Sequence, residues 1–114
     1  MTQEKEKLFS YGTLRQKNVQ IASFGRLLHG SSDKISGYRL DKVEITDIDV
    51  ISKSGKNVHD IMIYTGNDED TIDGTIFEIT KEELKIADNY EVDDYKRQKV
   101  TTISGVETWV YIAA

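Results

Sequence analysis

The chain has 114 residues, 38% of them hydrophobic and 31% charged, with a net charge of −5 and neither cysteine nor proline. That is enough for one domain around a single core, while the acidic balance excludes a nucleic-acid backbone or an anionic membrane as the natural partner. Without thiols there is no disulfide framework, thiolate metal site or cysteine nucleophile.

Residues 1–7 read as a polar lead-in, with no apolar leader segment behind them, and no apolar run is long enough for a membrane span. The expectation is a cytoplasmic protein whose partner is a small molecule or another protein. Leu8 to Tyr11 is a first strand, short and apolar. From Arg15 the period changes, and Val19, Ile21, Phe24, Leu27 and Leu28 recur at helical spacing, predicting an amphipathic helix over 16–28 that ends before Gly30. Gly30-Ser31-Ser32-Asp33 reads as a loop. Gly37 to Leu40 and Val43 to Ile51 alternate as strands, with Thr46-Asp47 and residues 52–57 as turns.

Asp60 to Tyr64 is a further strand, residues 65–70 an acidic loop, and Thr71 to Ile79 the best strand in the chain. Thr80-Lys81-Glu82-Glu83 is a capping box that opens a second helix over 81–90. Gln98 to Ile103 and Glu107 to Ile112 flank Ser104-Gly105-Val106, a connection suited to a hairpin; in the last strand Trp109 and Tyr111 alternate with Val110 and Ile112, and one of these faces is core.

Two stretches carry chemistry. In Leu8-Phe9-Ser10-Tyr11-Gly12-Thr13-Leu14-Arg15 a strand breaks at glycine, leaving backbone N–H groups outside any ladder, and converging amides make an anion or carbonyl receptor. In Ile86-Ala87-Asp88-Asn89-Tyr90-Glu91 the helical register puts Leu84, Ala87 and Glu91 on one stripe. Glu91 either points into a cleft or, if the helix has ended by Tyr90, hangs in solvent. A carboxylate on an apolar stripe is costly unless it is used. His29 and His59 have no companion at metal-ligand spacing, so no metal and no cofactor are expected. Ser54-Gly55-Lys56 lacks the upstream glycine of a phosphate loop, and Ser10 lacks a nucleophile-elbow setting.

Taken together, Tyr11-Gly12-Thr13-Leu14, Asp73-Gly74-Thr75-Ile76-Phe77-Glu78-Ile79, Asp88-x-Tyr90-Glu91 and Tyr95-Lys96-Arg97 resemble, in this order and separation, the γ-glutamylcyclotransferase-like (AIG2-like) family over nearly the whole chain. Ala87 and Val92 depart from the family's usual residues and reshape the pocket wall. The resemblance implies an α+β fold of the γ-glutamylcyclotransferase-like type: five to seven short strands of mixed direction in a small barrel or strongly curved sheet, with two main flanking helices, in a single domain spanning 1–114.

It also implies a small-molecule γ-glutamyl substrate that cyclises to 5-oxoproline, with Glu91 as general acid and base, the amides of Gly12, Thr13 and Leu14 holding substrate oxygens, and the hydroxyls of Tyr11 and Tyr95 orienting the glutamyl group. Burial, with Asp88, Asp93 and Asp94 if they approach it, would raise the pKa of Glu91. Arg97 reads first as a brace for an acidic neighbour such as Asp88 and second as a substrate ligand; Arg15 reads as surface. The alternatives are a non-catalytic metabolite binder of the same fold and a protein-interaction domain. A monomer or weak dimer is expected.

Overall fold

A computed structural model describes residues 5–55, 57–91 and 94–114, without the side chains of Lys53 and Ser54. Strands β1 (Lys5–Ser10), β2 (Gly30–Ser36), β5 (Thr71–Thr80), β6 (Tyr95–Thr101) and β7 (Glu107–Ala113) form one curled sheet in the order β2-β5-β1-β7-β6, while β3 (Tyr38–Glu44) and β4 (Val58–Tyr64) form a separate antiparallel pair. The helices are α1 (Lys17–Phe24), α2 (Ile48–Ser54) and α3 (Lys81–Tyr90). The fold is therefore α+β with a curled sheet rather than a closed barrel, and it carries three helices where two were expected.

At the centre of the sheet, β1 lies antiparallel to β5 and parallel to β7. Leu8–Phe9 of β1, Ile76–Phe77 of β5 and Val110–Ile112 of β7 are buried on both faces, which is why apolar residues stand side by side there instead of alternating with polar ones. Phe9, Tyr11, Ile76, Val110 and Ile112 face a core shared with Met62 of β4, while Leu8, Phe77, Ile79 and Tyr111 face Leu84 and Ala87 of α3. Both faces of the last strand are thus core, not one. Gly74 permits the close approach of β5 to β1, since a Cβ there would stand 2.5 Å from the backbone oxygen of Ser10.

Several boundaries differ from the sequence reading. Strand β1 already includes Lys5 to Lys7, whereas residues 1–4 lie outside the described residues. Helix α1 stops at Phe24 because Gly25 takes a left-handed conformation and its N–H closes onto the Ile21 carbonyl at 2.8 Å. Residues 30–33 are not a loop but the start of edge strand β2, aligned along β5 from Gly30 opposite Phe77 to Ser36 opposite Thr71.

The expected strand over 43–51 ends at Glu44, and α2 follows. Asp47 caps this helix by accepting from the amides of Asp49 and Val50, and Gly55 closes it; Lys56 of the expected turn lies outside the described residues. Strand β6 starts at Tyr95, not Gln98. The capping box stands as read: Thr80 Oγ1 accepts from the Glu83 amide at 3.1 Å and Glu83 Oε1 accepts from the Thr80 amide at 2.9 Å, with Arg26 gripping the same carboxylate through 2.7 and 2.8 Å bonds. None of the helices is long and apolar enough to cross a membrane, among the described residues.

Candidate functional site

The chain after β1 cannot continue along the sheet. It turns at Tyr11 and Gly12 and makes one tight helical turn over Thr13–Arg15, in which the amides of Arg15 and Gln16 return to the carbonyls of Gly12 and Thr13. The first N–H groups of such a turn have no partner within it. Among the described residues the amides of Thr13 and Leu14 meet no acceptor, and the Gly12 amide makes only a long 3.4 Å contact to Ser10 Oγ. Buried Gln20 of α1 props the turn from behind: its Nε2 donates to the Leu14 carbonyl, and its Oε1 accepts from the Leu28 amide.

This turn forms one wall of a cavity of about 400 Å³, within the range of small-molecule sites. Tyr11, Gly12, Thr13, Leu14, Glu91 and Tyr95 all line it, although they come from opposite ends of the chain. Ile45, Val50, Val58 and Asp60, from the region of β3, α2 and β4, supply another wall.

Helix α3 does end at Tyr90, and Glu91 has extended backbone angles with its amide closing onto the Ala87 carbonyl at 3.1 Å. The side chain nevertheless turns to the cavity rather than hanging in solvent. Burial first, and the Asp88 carboxylate second, push its pKa up to about 7. Asp94 is not among the causes, and Asp93 lies outside the described residues.

The hydroxyls of the two expected substrate tyrosines are already engaged. Tyr11 donates to the Tyr111 carbonyl at 2.6 Å and accepts from the Met62 amide at 3.1 Å, while Tyr95 donates to the Asp60 carbonyl at 2.8 Å. The Tyr95 proton and the Tyr11 oxygen tie β4 to the main sheet, while the Tyr11 proton stays within that sheet on β7, so what they offer a ligand is their rings and, for Tyr95, an oxygen lone pair. Both phenols are held above their ordinary pKa, chiefly by burial, and the Glu91 charge acts on each in the same direction.

Behind Glu91, Asp88 accepts from the Tyr111 hydroxyl at 2.7 Å and pairs with Arg97 Nε at 3.3 Å. Arg97, stacked 4.4 Å over Trp109, is the brace that the sequence suggested. Two cavity features, Ser23 and Lys42, escaped the sequence reading, while Arg15 is exposed as read. Ser23 of α1 presents a buried hydroxyl without a hydrogen-bond partner among the described residues. Lys42 pairs with Asp60 on the β3–β4 wall. Arg15 folds its exposed side chain back onto the Tyr11–Gly12 turn. Neither Ser23 nor Lys42 carries a local sequence signal, because each depends on where another element docks.

Residues 8–114 match the family model described as Gamma-glutamyl cyclotransferase, AIG2-like. No curated protein matches the chain by sequence. Among solved structures, the Arabidopsis thaliana protein At3g28950.1 superposes with a TM-score of 0.71 at 16% identity over 99% of this chain and 66% of its own. A protein titled Gamma-glutamyl cyclotransferase gives 0.71 at 15% identity over 97% and 68%, and an uncharacterized Homo sapiens protein, loc79017, gives 0.69 at 14% over 97% and 68%. The chain thus spans about two thirds of the length of these proteins, and at such identities the likeness is one of fold.

Proposed function

We propose, from the premise that the chain belongs to the gamma-glutamyl cyclotransferase, AIG2-like family, that it converts a γ-glutamyl compound to 5-oxoproline and a free amine or amino acid. The observation that carries this reading is Glu91: a carboxylate whose pKa burial pushes up to about 7, in a cavity also lined by the Gly12–Leu14 turn, where the Thr13 and Leu14 amides meet no acceptor among the described residues.

In the reaction the substrate's α-nitrogen attacks its own γ-carbonyl carbon. The new C–N bond closes a five-membered ring, the carbonyl oxygen takes the electron pair, and the old C–N bond then breaks as the oxygen's pair returns. Both reacting groups belong to one molecule, so the protein has mainly to fold the substrate back and move protons. The α-amine is an ammonium at neutral pH. The Glu91 carboxylate removes a proton from it and afterwards hands one to the departing nitrogen, the work for which a pKa near the working pH is suited. The amides of Gly12, Thr13 and Leu14 serve the oxyanion or the α-carboxylate. Tyr11 and Tyr95 wall the site with their rings.

Incubation with a panel of γ-glutamyl amino acids and γ-glutamyl amines, with 5-oxoproline measured, tests the proposal. Release of 5-oxoproline that Glu91→Gln abolishes supports it. A panel that yields none, while one member raises the melting temperature, replaces it with a non-catalytic binder.

A further inference from the structure

Arg15 stands at the mouth of the cavity, where its guanidinium reaches no carboxylate among the described residues and turns instead to two backbone oxygens: Nη2 donates to the Tyr11 carbonyl at 2.9 Å and Nε to the Gly12 carbonyl at 3.3 Å. The backbone amide of Arg15 donates to the same Gly12 carbonyl at 3.3 Å. In a planar trans peptide the carbonyl and the N–H point in opposite directions, and no peptide described here is cis. Fixing the Tyr11 carbonyl toward Arg15 therefore turns the Gly12 N–H the other way, and fixing the Gly12 carbonyl does the same for the Thr13 N–H.

We propose that Arg15 is a positioning residue whose planar fork sets the Tyr11–Gly12 and Gly12–Thr13 peptides so that two N–H groups face the cavity as a receptor for a carboxylate or an oxyanion. A glycine hinge left to itself samples many orientations, and a receptor that must reorganise at each turnover loses most of its worth. The fork is what a single ammonium lacks, so lysine cannot replace it. The cation lies on the carbonyl side and adds positive potential to the turn without occupying the ligand's place. This inference rests on the proposed cyclotransferase reading, which supplies both the substrate and the 5-oxoproline probe; the two fail distinguishably, because a false reaction removes turnover from wild type and variants alike.

The test compares wild type with Arg15→Gln and Arg15→Lys. With the best γ-glutamyl substrate, both variants are expected to lose roughly ten- to a hundredfold in kcat and to raise KM, with the melting temperature within about 2 °C, because the side chain is exposed. Independently, titration with 5-oxoproline is followed at the Gly12 and Thr13 amide resonances, which should shift in wild type and not in Arg15→Gln. Full activity of either variant, or a loss of kcat that tracks a falling melting temperature, overturns the inference, as does a wild-type protein whose two amides ignore 5-oxoproline. A wild type without turnover, whose amides respond and lose the response in Arg15→Gln, refutes the proposed reaction and leaves Arg15 in its role.

Discussion

Replacing Glu91 by glutamine separates two properties that a structural carboxylate would lose together. The folded chain holds a proton on Glu91 up to about pH 7, whereas an ordinary glutamate has lost it from about 4.5 upward. The stability this proton linkage brings is therefore complete below about pH 4.5 and is lost as pH rises through about 7. At about 1.36 kcal/mol for each pH unit the full effect is roughly 3 kcal/mol, and the residual contact of Glu91 with solvent reduces the expected value to about 1–3 kcal/mol. Glu91→Gln does not titrate, so it should gain on wild type by that amount between pH 4.5 and 8, several degrees of melting temperature for a chain of this size. Turnover should move the opposite way: kcat/KM of wild type rises through about pH 7 as the base form appears, and Glu91→Gln loses roughly two to four orders of magnitude. Urea or thermal unfolding at pH 5 and pH 8, beside a pH–rate profile, reads both. A stability offset that is the same at the two pH values, or a rate flat from pH 6 to 8, refutes the reasoning.

Asp88→Asn removes the charge that acts on Glu91 and should move the rising limb of the pH–rate profile to lower pH, while the Tyr111 hydroxyl keeps an acceptor. At Gly12 the backbone angle φ is −127° and a Cβ meets nothing within 4 Å, so Gly12→Ala should leave stability within about 1 kcal/mol of wild type yet cut kcat/KM at least roughly tenfold by filling the ligand's approach. Gly74→Ala is the contrasting control, expected to cost at least about 1–3 kcal/mol because its Cβ collides with Phe9 and with the Ser10 backbone. Ser23→Ala removes a buried hydroxyl that lacks a protein partner, so it should raise stability by about 1 kcal/mol, and a raised KM would show that a ligand supplies the missing bond.

The motifs at the two ends of the chain are local, and their resemblance to a family was legible as soon as they were seen in order. The α3 capping box needed only residues 80–83 to be read correctly. Helix α2 went unseen although its two caps, Asp47 and Gly55, were in plain view, because Val43, Ile45, Ile48, Val50 and Ile51 satisfy both strand and helix periods over so short a span. Strand β2 was misread for a different reason: Gly30-Ser31-Ser32-Asp33 has the composition of a turn, and only its pairing with β5 makes it a strand. The phenol protons show the same limit at the site, since the Tyr11 hydroxyl is claimed by Met62 and Tyr111, 51 and 100 positions away.

Because the strand that ends in the Tyr11–Leu14 turn lies between β5 and β7, it is made before both of the neighbours that complete it. Until Glu107–Ala113 has emerged, β1 keeps an open, apolar edge, and Tyr11 lacks the carbonyl that fixes its ring. The nascent chain thus holds a sticky strand in waiting while the residues between β1 and β7 are made, a setting in which slow long-range pairing invites chaperone attention. It also makes the Ser104–Val106 turn a natural cut point for a split reporter: two fragments, each incapable of building the cavity, would regain it together when β7 slides in beside β1.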